Sequence, residues 1–233
     1  MKRSQVNSSI LWALGLLERQ CFKLPRFGYW TTRDWMKNKA GTETVRSLML
    51  GWDVTDFGTG CFEKTGAVLF TIRNGSPKDP YAGTPYAEKV IMMADGQSLP
   101  MHFHFTKTED IINRGGGVIH MQLYNARPDG SVDHDTDVTV RADGMEITVK
   151  AGGFLEITPG NSVTLRPRTY HMFGAKKGFG DVLAGEVSSV NDDSADNRFA
   201  EPVKRFSGIE EDEPALYPLC NEYEKILSEE RIK

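Results

Sequence analysis

The chain has 233 residues, with 28 Lys and Arg against 32 Asp and Glu for a formal net charge of −4; 39% of residues are hydrophobic and 26% charged. That apolar content buries a real core and excludes disorder over most of the length. The sequence pI near 5.8 leaves no basic footprint, which argues against nucleic acid as the main partner, and no apolar run is long enough to span a bilayer. Met1-Lys2-Arg3 starts like a signal peptide, but Glu18, Arg19 and Gln20 interrupt what would follow, and no small-residue cleavage site appears. Cys21, Cys61 and Cys220 are odd in number and far apart, forming neither a disulfide framework nor a thiolate zinc site. A reduced, cytoplasmic protein that uses no membrane is expected.

In chain order, Val6, Ile10, Leu14, Leu17, Cys21 and Leu24 make one amphipathic stripe, a helix ended by Pro25. Thr32 is placed to cap a short second helix through Trp35 and Met36. Thr42 is placed to cap a third, with Val45, Leu48 and Met49 inward and Gly51 as the stop. From Ala67 the period changes to two. Asn74-Gly75, Asp95-Gly96, Asp129-Gly130, Asp143-Gly144 and Pro159-Gly160 punctuate runs rich in Val, Ile, Thr and aromatics. Ten strands are expected, at 67–73, 87–93, 98–105, 118–124, 137–140, 145–149, 154–157, 162–165, 170–173 and 181–187. Short strands joined by tight turns, without βαβ alternation, predict an all-β antiparallel sandwich or barrel. A polar segment follows Val190, and a last helix is expected over 221–232. The organisation read from this is one structural domain: a helical extension over 1–60, a barrel over 61–190, and a polar loop with a C-terminal helix over 191–233.

There are five histidines. His102 and His104 lie two apart in Met101-His102-Phe103-His104-Phe105, so on a strand both rings face one way and the three flanking apolar side chains the other. Glu109 follows past a bend that lets the chain return a carboxylate to the same point. With one more histidine from a distant strand, this set makes an N₃O site suited to a divalent first-row metal. His120, between apolar neighbours, reads as structural. His134, in Asp133-His134-Asp135, reads as part of a solvated loop, and Glu210-Glu211-Asp212-Glu213 as a wet charge run.

Gly96, His102, His104, Glu109 and Gly116 spell G-x5-H-x-H-x4-E-x6-G. Downstream, Gly153 and Pro159-Gly160 announce a hairpin, with His171 on the strand after it. This resembles the two motifs of the cupin superfamily, although ten residues separate Gly160 from His171, more than the second motif usually has. The resemblance implies a double-stranded β-helix (jelly-roll) barrel. Residues 102–117, and residues 185–193 continuing through Asp196-Asn197-Arg198-Phe199 to Glu201, further resemble the D-lyxose isomerase family of cupins, over residues 30–206 in all. That likeness implies Mn²⁺ held by His102, His104, Glu109 and His171, and exchange of D-lyxose with D-xylulose and of D-mannose with D-fructose. It also implies Lys107 and Glu201 as acid and base, and a homodimer. Lys89, Arg114, Gln122 and Asp192 are the polar residues expected near the barrel mouth to hold the small-molecule sugar.

The residue types suit this reaction. A divalent cation bound to both sugar oxygens stabilises charge on an enediolate, while carboxylate and lysine move protons; a hydride shift is an alternative route. The rivals are a cupin dioxygenase holding Fe²⁺ in the same four ligands, and a non-catalytic sugar- or metal-binding cupin.

Overall fold

The computed structural model describes residues 1–192 and 195–228. Helix α1 (Arg3–Arg19) buries Val6, Ile10, Ala13, Leu16 and Leu17. It stops well before Pro25. Cys21 takes a φ of 54° and the Phe22 N–H donates to the Leu17 carbonyl at 2.9 Å, a left-handed C-terminal stop that leaves Cys21 exposed and Leu14 half-buried. At its other end α1 has neither a side-chain cap nor an acidic first turn. The run 210–213 supplies both from the far end of the chain. Arg3 N–H donates to the Glu210 carbonyl at 2.8 Å, Ser4 N–H to Asp212 Oδ1 at 2.9 Å, and Asn7 Nδ2 to Glu213 Oε1 at 2.6 Å. Arg3, 1% exposed, donates to Glu211 at 2.8 and 2.9 Å and also pairs with Glu222. The acidic run is therefore an anchor and not merely a wet surface, and its charge sits where the helix dipole favours it.

A 3₁₀ turn (Arg26–Tyr29) leads to α2 (Thr32–Lys37), capped one residue earlier than expected, by Thr31 in a reciprocal box with Asp34. Helix α3 (Glu43–Ser47) follows Thr42, whose hydroxyl donates instead to the Lys39 carbonyl at 2.6 Å. Met49, expected inward, has a φ of 49° and is exposed; Leu50 is buried in its place, and Gly51 opens a strand.

The strands are β1 (Gly51–Thr55), β2 (Ala67–Gly75), β3 (Gly83–Met93), β4 (His102–His104), β5 (Glu109–Gly116), β6 (Ile119–Ala126) and β7 (Val132–Asp133). They continue with β8 (Val138–Ala142), β9 (Met145–Val149), β10 (Phe154–Ile157), β11 (Ser162–Leu165), β12 (Thr169–Ala175), β13 (Val182–Ser189) and β14 (Asn197–Phe199). Helix α4 (Tyr223–Ser228) is shorter than the 221–232 expected, and residues 229–233 lie outside the described residues. One sheet has the order β1-β2-β3-β13-β5-β11-β8-β9, the other β10-β6-β12-β4-β14 with β7 beside β6, and every pairing is antiparallel. This is the cupin double-stranded β-helix. Strands β9, β10 and β11 keep the expected bounds, and the Asp143-Gly144 turn between β8 and β9 takes positive φ at both residues, as a two-residue hairpin requires.

Four strands escaped the periodicity. β1 is buried at all five positions and shows no alternation, β5 ends in glycines and carries charges, and β7 and β14 are two and three residues long. The region expected to be helical through residue 60 thus contributes a strand. Its helix α1 covers the outer face of the larger sheet. Inward-facing Leu69, Ile91 and Ala184 join the barrel core, while Val68, Phe70, Val90, Met92 and Leu183 pack outward with Val6, Ile10 and Leu17. Both faces are buried there, so β2 and β3 read as continuous apolar runs. Tyr223 of α4 closes this end, its hydroxyl donating to the Leu50 carbonyl at 2.6 Å and its ring 4.3 Å from Trp35. Among the described residues no disulfide occurs and no helix is long and apolar enough to cross a membrane.

Replacing Arg3 with Met strips the α1 anchor of its cation. The expected loss is about 2 kcal/mol, below the roughly 3–5 of a fully buried pair because Glu211 is half in solvent. The Arg3 hydrogen bond holds the Glu211 carboxyl down to about 2, against 4.5 ordinarily. Its contribution is therefore complete above pH 4.5 and lost as pH falls toward 2. Thermal melts from pH 6 to pH 3 should show this acid-side loss in the parent and a flatter profile in Arg3→Met.

Candidate active site and metal centre

Strand alternation puts His102 and His104 on the inner face of β4. Phe103 points the other way, under Tyr170 (ring centroids 4.8 Å), Phe105 (5.0 Å) and the Arg168 guanidinium. β12 pairs with β4 at His171↔His102, which sets those two rings 4.2 Å apart. Glu109 comes from the opposite sheet, where it starts β5 between Leu165 of β11 and Ser188 of β13. The bend after His104 is thus a crossing from one sheet to the other. The Nδ1 atoms of His102 and His171 lie 2.9 and 3.0 Å from the carbonyls of Pro100 and Thr169. A carbonyl only accepts, so each Nδ1 carries the proton and each Nε2 turns its lone pair into the barrel.

The three histidines offer donor atoms within 4.8 Å of one another. Glu109 Oε1 stands 2.9 Å from His171 Nε2 and 3.4 Å from His104 Nε2, yet all three atoms are buried without a hydrogen-bond partner. They are aimed at a shared point and not at each other. Donors about 2.1 Å from one ion stand about 3 Å apart around it, so this N₃O set fits a divalent first-row metal.

Beside the set lies a buried lattice of charges. Lys107 Nζ is 2.8 Å from Glu109 Oε2 and 2.9 Å from Glu186 Oε1. Lys89 Nζ is 3.3 Å from Glu186 Oε1 and 2.9 Å from Asn191 Oδ1. Burial works against the Lys107 charge, but the two carboxylates outweigh it and raise its pKa. Burial likewise opposes ionisation of Glu109 and Glu186, and the Lys107 ammonium holds both below the ordinary carboxylate value. Burial, then the neighbouring rings of His171 and His104, keep His102 neutral. Lys107 is fixed from the backbone side, because Asp196 accepts from the N–H groups of Thr106 (2.7 Å) and Lys107 (3.0 Å).

The fold gathers six of the ten expected residues, Lys89 among them, at or beside one cavity of about 50 Å³, which Phe57, Phe173 and Phe199 also line. His102, His104, Lys107 and Glu109 line it directly, and His171 stands against Glu109. The other expected residues are elsewhere. Arg114 is exposed on the outer face of β5 against Gly185, because Ile111 and Asn113 take the inward positions. Gln122 faces out of β6 and donates to the Gly152 carbonyl at 3.0 Å, because Met121 and Leu123 face in. Asp192 lines a separate outer groove. Glu201, just past the end of β14, is exposed and is not among the residues that line the cavity. The carboxylate inside is Glu186, an inward position of β13 directly opposite Lys89 on β3. Its signal was present, a lone acid within Val182-Leu183-Ala184-Gly185-Glu186-Val187. A charge inside a short apolar strand needs a buried partner.

The fold is shared with the L-ribose isomerase of Acinetobacter sp. DL28, solved with L-ribose (TM-score 0.59, 12% identity, 90% of this chain and 98% of that one). The L-ribose isomerase of Cellulomonas parahominis, also solved with L-ribose, has a TM-score of 0.55 at 13% identity and covers the same shares. In sequence the chain is 47% identical over 225 residues to the D-lyxose/D-mannose isomerase of Escherichia coli O157:H7, covering 96% of this chain and 98% of that protein. It is 46% identical over 231 residues to the D-lyxose/D-mannose isomerase of Serratia proteamaculans, covering 98% and 100%. A family model described as D-lyxose isomerase matches residues 1–223, and with these relatives it establishes that the chain belongs to the D-lyxose isomerase family.

Proposed function

We propose that this protein is a metal-dependent aldose–ketose isomerase that exchanges D-lyxose with D-xylulose and D-mannose with D-fructose. One observation carries the reading: a carboxylate clamped between two buried lysines shares a cavity with His102, His104 and Glu109, His171 stands against Glu109, and Glu109 Oε1 and the Nε2 atoms of His104 and His171 are orphaned. The D-lyxose/D-mannose isomerases related to it along nearly their whole length support the choice of sugars. The metal is proposed to be Mn²⁺, held by His102, His104, Glu109 and His171, where it supplies Lewis-acid polarisation of the sugar carbonyl.

The chain's own residues move the protons. Glu186 takes the proton from C2 of the open-chain aldose, and Lys107 gives one to O1, leaving an enediol. Glu186 then returns its proton to C1, and Lys107 recovers one from O2. The C2–H bond breaks, a C1–H bond forms, and both side chains end as they began. Glu186 fills the role that the family resemblance gave to Glu201, and Lys89 orients it from the other side at 3.3 Å. Residues 1–60, 61–190 and 191–233 are taken as parts of one folding unit, acting in a reduced cytoplasm as a homodimer.

Turnover of D-lyxose in D₂O should place deuterium on C1 of part of the ketose, because the proton held by Glu186 exchanges with solvent in a fraction of turnovers; a C1 free of deuterium after many reversible turnovers overturns the proton-transfer route in favour of a hydride shift. Oxygen uptake, or loss of turnover without oxygen, would establish the dioxygenase alternative instead.

Lys107→Ala and Glu186→Gln should each lower kcat by about 10²–10⁴. Bound metal should stay at about one per subunit. Lys107→Arg should not restore the rate, because arginine holds its proton too tightly. Near-parental kinetics in either variant removes that residue from the mechanism.

Chelation should abolish activity and lower the melting temperature, and Mn²⁺ should restore both, since a ligand bound only by the native state stabilises it. Full activity in metal-free protein defeats the proposal.

A further inference from the structure

Two hollows meet at Arg205. The inner cavity of about 50 Å³ holds the metal donors, and an outer groove of about 480 Å³ is lined by Asp53, Thr71, Asn74, Asn191 and Asp192. Arg205 lines both. Its guanidinium pairs with Asp53 and lies over the Phe206 ring at 4.7 Å, while its carbonyl accepts from the Thr55 hydroxyl at 3.2 Å. Asp53 is itself 4% exposed and sits in β1, opposite Leu69 of β2. The strand that periodicity missed is therefore what holds the Arg205 plane. Thr71, on the same groove wall, stands directly across the sheet from the cavity-lining Lys89, and Asn191 accepts from Lys89 at 2.9 Å. The boundary between cavity and groove is thus polar on each of these sides and rigidly backed.

Size decides what crosses it. The inner cavity has space for a few water-sized groups, about as much as two carbons and their oxygens occupy, whereas an open-chain pentose has about ten heavy atoms. The remainder of the molecule has to lie outside the cavity, and Arg205 lines both the cavity and the groove beside it. A guanidinium presents N–H donors in a fixed plane, well matched to adjacent hydroxyls.

We propose that Arg205, oriented by Asp53, binds the distal hydroxyls of the sugar, and that the groove beside Thr71 receives the sixth carbon of a hexose, so that this rim sets the pentose-to-hexose preference. The inference rests on the isomerase reading above and adds to it where the unreacting end of the substrate lies.

The test compares D-lyxose and D-mannose kinetics in Mn²⁺-loaded parent, Arg205→Met, Asp53→Asn and Thr71→Phe, with metal content and melting temperature as controls. Arg205→Met should raise KM for both sugars by tenfold to a hundredfold, the span expected for a lost hydrogen bond from a charged group, with kcat changed far less. Asp53→Asn should raise KM in the same way by a smaller factor, because it frees the guanidinium without removing it. Thr71→Phe should raise KM for D-mannose at least fivefold more than for D-lyxose, because only the hexose needs the filled space. If Arg205→Met fails to fold, the other two variants decide. KM values within twofold of the parent in folded, metal-loaded variants, or equal effects of Thr71→Phe on both sugars, overturn the inference and leave the isomerase reading intact. A parent that converts neither sugar overturns both.

Discussion

Four ionised side chains inside a β-barrel are the constraint around which the rest of this structure is arranged. Lys89, Lys107, Glu109 and Glu186 are each at most 5 or 6% exposed, and burying any one alone is prohibitive. Together they are tolerable, because each carboxylate meets an ammonium within 3.3 Å and Asn191 accepts from Lys89 and, at 3.4 Å, from Lys107. The two sheets must close in a register that lets these groups meet. Lys89 and Glu186 are direct cross-strand partners, Glu109 begins the strand next to Glu186, and Lys107 is delivered by a loop that the Asp196 carboxylate ties down. A slip of one residue in β13 would send Glu186 to the outer face, taking from Lys89 its carboxylate and leaving Lys107 to Glu109. The same lattice sets Glu109 Oε1 against the histidines, so the histidine cluster and the lysine–carboxylate lattice are two ends of one network.

The helical extension is tied to this centre through the sheet and not through direct contact. Its apolar face covers the outer side of β2, β3 and β13, the strands whose inner sides carry Leu69, Lys89 and Glu186. Covering that face excludes water from behind the site and allows a strand with both faces buried to carry an inward lysine. The extension is held by partners more than 200 residues away, as Arg3 and Ser4 meet Glu211 and Asp212. The two ends of the chain therefore clamp the same side of the barrel, and β1 between them brings Asp53 to Arg205.

Much of the centre was legible from spacing. His102 and His104 had to share a face because strands alternate, and Glu109 followed at a distance that allowed a return. Helix α1, the turn at Asp143-Gly144 and strands β9 to β11 followed from local pattern, where period and turn chemistry agree. Local pattern failed where burial was decided by something distant. β1 is buried on both faces, β5 carries Glu109, Asn113 and two glycines, and β14 exists only because β4 offers an edge. Asn113 looks like a loop residue in sequence, yet it is fully buried with its amide donating to the Gly117 and Ile157 carbonyls at 2.9 and 2.8 Å.

Glu186 against Glu201 marks the boundary between the two kinds of information. Residue types, their spacing and family likeness pointed to the barrel and to His102, His104, Lys107, Glu109 and His171, which the fold brings together, because each rests on neighbours within a few residues or on a short motif. Which carboxylate stands beside Lys107 depends on the pairing of β13 with both β3 and β5, strands separated from it by up to a hundred residues. Arg114 and Gln122 have the right chemistry and the wrong parity, since their neighbours Ile111, Asn113, Met121 and Leu123 claim the inner face. Arg205 carries no motif at all; its place at the rim follows from Asp53 on the far edge of the sheet. Alternation along one strand is local and can be read directly. Which faces of distant strands point at one another is settled only when the sheets close and every buried charge has found its partner.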